Sequence, residues 1–344
     1  MKTSRFSSAL LALFTAAMAF PAVAATPPSA PAAFSPTVLP GRGLAQHDFV
    51  YAGEWDTRKP DEQSLFVVRG GKVAWAIHIP LHTASGGAQE YDDATMMPDG
   101  NLLFARMSGA GEVRPDKSVV WDFACPAGTE CHSVQPVGKH HALLALNGTP
   151  SFALIVDRRN GALVKRIPIA TTTSSSHSQF RHIRMTPERT ILVPLLGEGR
   201  VAEFTLEGKE IWSVAAKSPW SAVRLRNGNT LIAGDWSGYV REVDRKGATV
   251  WEFTQADVPE YKLFNTQTAH RLRNGNTVIC NWVGGHGNTA DWSNTVQALE
   301  VTPAKKVVWA LRSWDGANDL GPATHIQLLD QEHAEAPAPA DFTP

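Results

Sequence analysis

Two short stretches, Asn227-Gly-Asn-Thr-Leu231 and Gly247-Ala-Thr-Val-Trp251, decide the fold, because both recur along the chain at a near-constant interval. The second has siblings in Gly71-Lys-Val-Ala-Trp75, Lys117-Ser-Val-Val-Trp121, Gly208-Lys-Glu-Ile-Trp212 and Lys305-Lys-Val-Val-Trp309, and a copy with lysine in the anchor position, Gly161-Ala-Leu-Val-Lys165. Successive anchors lie 39 to 58 residues apart, the period of a propeller blade. The first stretch recurs as Asp99-Gly-Asn-Leu-Leu and Asn274-Gly-Asn-Thr-Val, with degenerate copies at Pro187-Glu-Arg-Thr-Ile and Lys139-His-His-Ala-Leu. Asn-Gly and Asp-Gly between β-rich runs are hairpin turns. Each unit therefore reads as four short strands, with the anchor on the last.

Six anchors predict an all-β, six-bladed β-propeller of four-stranded antiparallel blades; blade lengths admit seven, and six is preferred because six anchors are visible. The segment Thr324 to Asp330 reads as the first strand of a blade whose other strands lie at 48–79. Pairing of N- and C-terminal strands would close the ring and remove exposed sheet edges. The 27 glycines and 23 prolines in 344 residues agree with many turns and few helices.

Residues 1–24 read as a signal peptide: Lys2 and Arg5 are followed by an apolar run from Ser8 to Phe20 and an Ala22-Val23-Ala24 cleavage pattern. Residues 25–47 read as a Pro/Ala-rich linker, 48–330 as the β-propeller and 331–344 as a disordered tail. The expected location is periplasmic or secreted, as for a bacterial exported protein, with no membrane span. In an oxidising compartment Cys125 and Cys131, separated by a turn-like loop, are expected to form a disulfide. A formal net charge of −1 argues against nucleic acid as a partner.

The alternation of L-x-N-G-N-T-L with G-K-x-V-W resembles the PQQ-like β-propeller repeats of bacterial secreted proteins, including the arylsulfotransferase-like propellers. Quinone-binding members carry adjacent cysteines in their site; this chain has no such pair, so quinone is not expected. The resemblance implies one mechanism, a histidine attacking a sulfuryl group while other histidines and arginines stabilise the transferred charge.

First strands line a propeller's channel. Aligned on their turns, they place Ala94, Val134, His182, Ala222, Ala269 and His325 in one column, with Asp92, His132 and Trp220 two residues earlier. The channel mouth should gather His132, His177, His182, His270, His325, Asp92, Asp93 and Arg181. His182, His270 and His325 are the catalytic candidates. Asp92, Asp93, His132, His177, Arg181, Trp220, His286 and Trp292 are the ligand-binding candidates, the last two from the glycine-rich insertion Val283 to Trp292. No cofactor is predicted and no metal ligand assigned, although histidines converging on an axis suit a metal ion. The leading function is binding of a small organic ligand, a carbohydrate or anionic aryl compound, or of an envelope protein partner. The alternative is an enzyme using the channel histidines for lyase, hydrolase or sulfuryl-transfer chemistry.

Overall fold

Six sheets of four antiparallel strands make up the computed structural model, which describes residues 36, 38–285 and 288–340. Blade one is built from Ala323–Leu328, Phe49–Gly53, Gln63–Arg69 and Lys72–Ile79 in that order, so the two ends of the chain share a sheet. Phe49 pairs with Leu328 and Ala52 with His325. The other blades run in sequence, with first strands Tyr91–Met96, Val134–Val137, Arg184–Met185, Pro219–Arg224 and Ala269–Arg271. This is the six-bladed propeller that the repeat predicts. Among the described residues no helix is long and apolar enough to cross a membrane. The segment read as a signal peptide lies outside the described residues.

All six anchors fall on the fourth strand of their blade, and each is immediately preceded by the same bulge. The residue opposite the anchor on the third strand is Val67, Glu112, Ile155, Glu203, Glu242 or Glu300. Each of the four glutamates is buried and meets an arginine or histidine from the next structural unit. Glu112 pairs with Arg158, Glu203 with Arg224 (2.5 Å), Glu242 with Arg271 (2.9 Å) and Glu300 with His47 (3.0 Å). The indole N–H groups also reach forward. Trp75 donates to the Pro115 carbonyl, Trp212 to Arg245, Trp251 to Pro303 and Trp309 to Gly43, at 2.8–2.9 Å. Lys165, the variant anchor, places its Nζ 3.6 Å from Glu207 of the next blade. The tryptophans are thus seam residues.

The same glutamates lock the inner turns. Asn101, Asn229 and Asn276 donate to Glu112, Glu242 and Glu300, and in blade four Thr190 donates to Glu203. Thr190 therefore stands where Asn229 stands, and Arg189, at φ +61°, takes the place of Gly228 at φ +89°. The turn hydrogen bonds agree, Thr186 N–H to Thr190 in one blade and Leu225 N–H to Asn229 in the other.

Three expectations need correction. The end of the Pro/Ala-rich linker belongs to the fold: Pro40 accepts from Ala310 N–H, and His47 bridges Glu300 and Asp330. The expected disordered tail docks instead. His333 and Glu335 pair with Leu272 and Leu225, and backbone bonds run from Ala334 to Arg271 and from Ala336 to Arg224. Small alanines between charged residues let this strand lie against the ends of two first strands, satisfying backbone groups those ends would leave open. Lastly, Cys125 and Cys131 are free thiols. They touch, but Cys131 is fixed in the core between blades two and three with its Sγ 3.7 Å from the Ser133 carbonyl.

Replacing Trp309, fully buried at its seam, with alanine should cost about 3–5 kcal/mol in urea unfolding. Ile211→Ala, on an exposed position of a fourth strand, should change stability by no more than about 0.5 kcal/mol. Equal effects would show that the anchors carry no seam energy.

Candidate functional site

The first strands converge on the axis with a register one residue different from the turn alignment at two positions. His182 forms a parallel bridge with Ser221, and its N–H donates to the Trp220 carbonyl. Asp93, Ser133, His182, Ser221, Thr268 and His325 therefore make one ring, and His182 and His325 do not share a level with Ala94 and Ala222. In blade four the misreading came from aligning Thr190 with Thr230 when it occupies the Asn229 position. In blade one there is no turn to align, because its first two strands come from opposite ends of the chain. Since strand side chains alternate, a slip of one exchanges channel and seam faces.

Asp93 is the centre of this ring and is fully buried. Its Oδ2 accepts from Arg184 Nη1 (2.8 Å), Val134 N (3.1 Å) and Ser133 Oγ (3.2 Å), and its Oδ1 from Arg184 Nη2 (3.0 Å). Burial opposes its charge, but the Arg184 guanidinium beside it holds the carboxyl well below its usual range. Burial pushes His182 and His325 down, so both imidazoles are neutral at pH 7. His270 packs edge-on against His325 with ring centroids 5.0 Å apart, and its Nδ1 lies 2.6 Å from Glu335 of the docked tail. The three catalytic candidates are thus brought together, in two adjoining levels.

One level toward the loops stand Asp92, His132, Arg181, Trp220, Gln267 and Thr324, joined by Glu54, Glu90 and Glu130. His132 is wholly buried and bridges Asp92 and Glu130, 2.7 Å from each, while His177 reaches Glu130 from its loop at 3.1 Å. Burial and Arg181 work against charge on His132, yet the two carboxylates raise its pKa. Glu130 is held low against burial by its two histidines. Glu54 and Glu90 go the other way. Burial, with the Asp92 charge nearby, lifts Glu54 to about 7; burial and the Glu54 charge lift Glu90 well above the carboxylate range.

Beside these carboxyls lies an aromatic cluster. Trp220, Trp236 and Trp282 stand 6.1–6.3 Å apart, Trp236 is 50% exposed, and Trp282 donates to the Glu54 carbonyl at 3.1 Å. The Arg181 guanidinium lies over Trp220 at 4.8 Å. Of the sequence candidates, Trp292 is not part of this surface: it is buried against Trp314 and Val283, with Arg58 over its ring. His286 lies outside the described residues. Sequence reading missed Glu54, Glu90, Glu130, Trp236, Trp282, His333 and Glu335. The acidic run Glu90-Tyr-Asp-Asp93 entering a first strand was a signal for Glu90; the tail residues carried none.

No protein-family model matches the sequence, and no curated protein does. Among solved structures, a Bacteroides caccae protein of unknown function is similar at 24% identity and TM-score 0.69, covering 81% of this chain and 98% of its own. Virginiamycin B lyase from Staphylococcus aureus, solved as a catalytically inactive variant with quinupristin, is similar at 9% identity and TM-score 0.52, covering 80% of this chain and 88% of its own. Both likenesses show the β-propeller fold.

Because Glu54 is raised in the fold, it takes up its proton more readily there than in the unfolded chain. Its contribution to stability is present below about pH 4.5 and is lost as pH rises to about 7. Glu54→Gln should flatten the fall in stability across that window in urea melts at fixed pH. An unchanged pH profile would show that Glu54 is not a buried, proton-holding carboxyl.

Proposed function

We propose that the channel mouth binds a small, hydroxyl-bearing organic ligand, neutral or cationic, with a sugar ring as the leading class. The observation that supports it is the half-exposed Trp236, continuous through Trp220 and Trp282 with the buried carboxyls around Glu54. An indole face takes the C–H face of a sugar or a cation, and carboxyls behind it take hydroxyl or ammonium hydrogens. The crowding of carboxyl groups argues against an anionic aryl ligand, and with it against sulfuryl transfer: Asp92 and Glu130 flank His132 at 2.7 Å beside Arg181, and Glu54 and Glu90, already raised by burial and neighbouring charge, add no positive group to hold an anion. An exported location, periplasmic or secreted, suits a ligand met outside the cytoplasm and rests on the reading of residues 1–24.

A second reading is favoured by one specific observation, a carboxyl raised to about 7 one level from neutral imidazoles. Glu54 as acid and a channel histidine as base would make a general acid–base pair working near neutral pH. Virginiamycin B lyase has this fold, so lyase chemistry is the first reaction class to assay.

Tryptophan fluorescence titrations with neutral oligosaccharides and with aryl sulfates test the proposal. Saccharides should quench with saturation, and Trp236→Ala should weaken binding at least about tenfold, equivalent to about 1.4 kcal/mol, without lowering the unfolding midpoint. Saturable binding of aryl sulfates alone, or saccharide binding indifferent to Trp236→Ala, would overturn it.

A further inference from the structure

Four imidazoles run in file along the channel: His182, His325, His270 and His333, with successive ring centroids 6.1, 5.0 and 5.1 Å apart. Each has a buried nitrogen without a hydrogen-bond partner, Nδ1 in His182 and His325 and Nε2 in His270 and His333. Leaving a buried polar atom unpaired costs about 1–3 kcal/mol, so such a file calls for an occupant.

At the Asp93 ring the surroundings define that occupant. His182 Nδ1 is 3.5 Å from Asp93 Oδ2, and His325 Nδ1 is 3.5 Å from Oδ1, and neither nitrogen makes a hydrogen bond. Two ligand atoms held about 2.1 Å from one ion at the tetrahedral angle stand about 3.4 Å apart. The carboxylate is also set up for it. Oδ2 is filled by Arg184, Ser133 and Val134, whereas Oδ1 accepts from Arg184 and has a further lone pair to offer. His182 and His325 are 1% and 2% exposed, so their donor nitrogens face this space and not bulk solvent.

We propose that Asp93 Oδ1, His182 Nδ1 and His325 Nδ1 hold a transition-metal ion of the zinc class. One donor atom from each of these three residues lies within 4.8 Å of the other two. Two imidazoles and one carboxylate are a donor set that suits zinc and its neighbours and leaves a coordination position for water or ligand. Arg184 is a positioning residue, fixing the carboxylate plane from its far edge as outer partners of metal ligands do. The neighbouring cluster of His270, His333 and Glu335 differs, because Glu335 Oε1 already lies at hydrogen-bond distance, 2.6 Å, from His270 Nδ1. The metal site lies one level below the aromatic mouth and does not depend on the saccharide reading.

The test uses the full chain, stripped with a chelator and titrated with Co²⁺, which reports its ligands through visible d–d absorption. One equivalent should bind, and Zn²⁺ should displace it. His182→Gln and His325→Gln should each weaken binding on the order of 100-fold, while His333→Gln keeps it. Far-UV circular dichroism of each protein establishes that the propeller is intact. Intact wild-type protein that takes up no Co²⁺, or a Co²⁺ spectrum that survives both His182→Gln and His325→Gln, would overturn the proposal, and so would loss confined to His333→Gln.

Discussion

A carboxylate buried opposite an anchor must find a basic partner, and at the four seams that have one the arginine or histidine that meets it comes from the neighbouring unit. Glu203 and Arg224 are 2% and 4% exposed, and the guanidinium of Arg224 also lies over the Trp212 ring at 5.4 Å. Removing one partner of such a pair typically costs about 3–5 kcal/mol, because the other is left charged and dry. No blade bearing the glutamate can therefore satisfy its own third strand. Four of the six seams work this way; at the other two, Val67 and Ile155 put an apolar side chain in the glutamate's place. The indole and lysine contacts that reach forward from the fourth strands add directional bonds to the same seams.

This constraint carries inward. Each glutamate bonds at once to the arginine or histidine across the seam and to the Asn or Thr of its own inner turn, so seam and first strand are tied together. The tie sets the level at which each first strand enters the channel. It places Asp93, Ser133, His182, Ser221, Thr268 and His325 on one ring and raises the acidic and aromatic mouth above it. Strand pairing between Phe49–Gly53 and Ala323–Leu328 closes the ring, and the docked segment around His333 and Glu335 lies against the channel's far end.

The architecture was legible in the sequence because its cause is repetitive. Gly-x-x-x-Trp and Asn-Gly-Asn recur since every seam and every inner turn solves the same problem, and the pairing of the two chain ends follows from counting strands. The site was legible only in part. His182, His270 and His325 could be brought to the axis, yet two of them were placed one level off, because Thr190 does the work of an asparagine and blade one has no inner turn. Glu54 and Trp282 reach the mouth from connections whose course no periodicity records. His333 and Glu335 sit in an Ala/Pro-rich stretch whose composition resembles a loose tail, and the open backbone groups at the ends of two first strands, together with His270, give that stretch a place to dock.

The seam is most directly tested by a double-mutant cycle on Glu203→Gln and Arg224→Met, followed by urea unfolding. The account predicts strong non-additivity, with a coupling of about 1.5–3 kcal/mol between the two substitutions. Effects that add to within about 0.5 kcal/mol would contradict it, showing that the buried pair does not join one blade to the next.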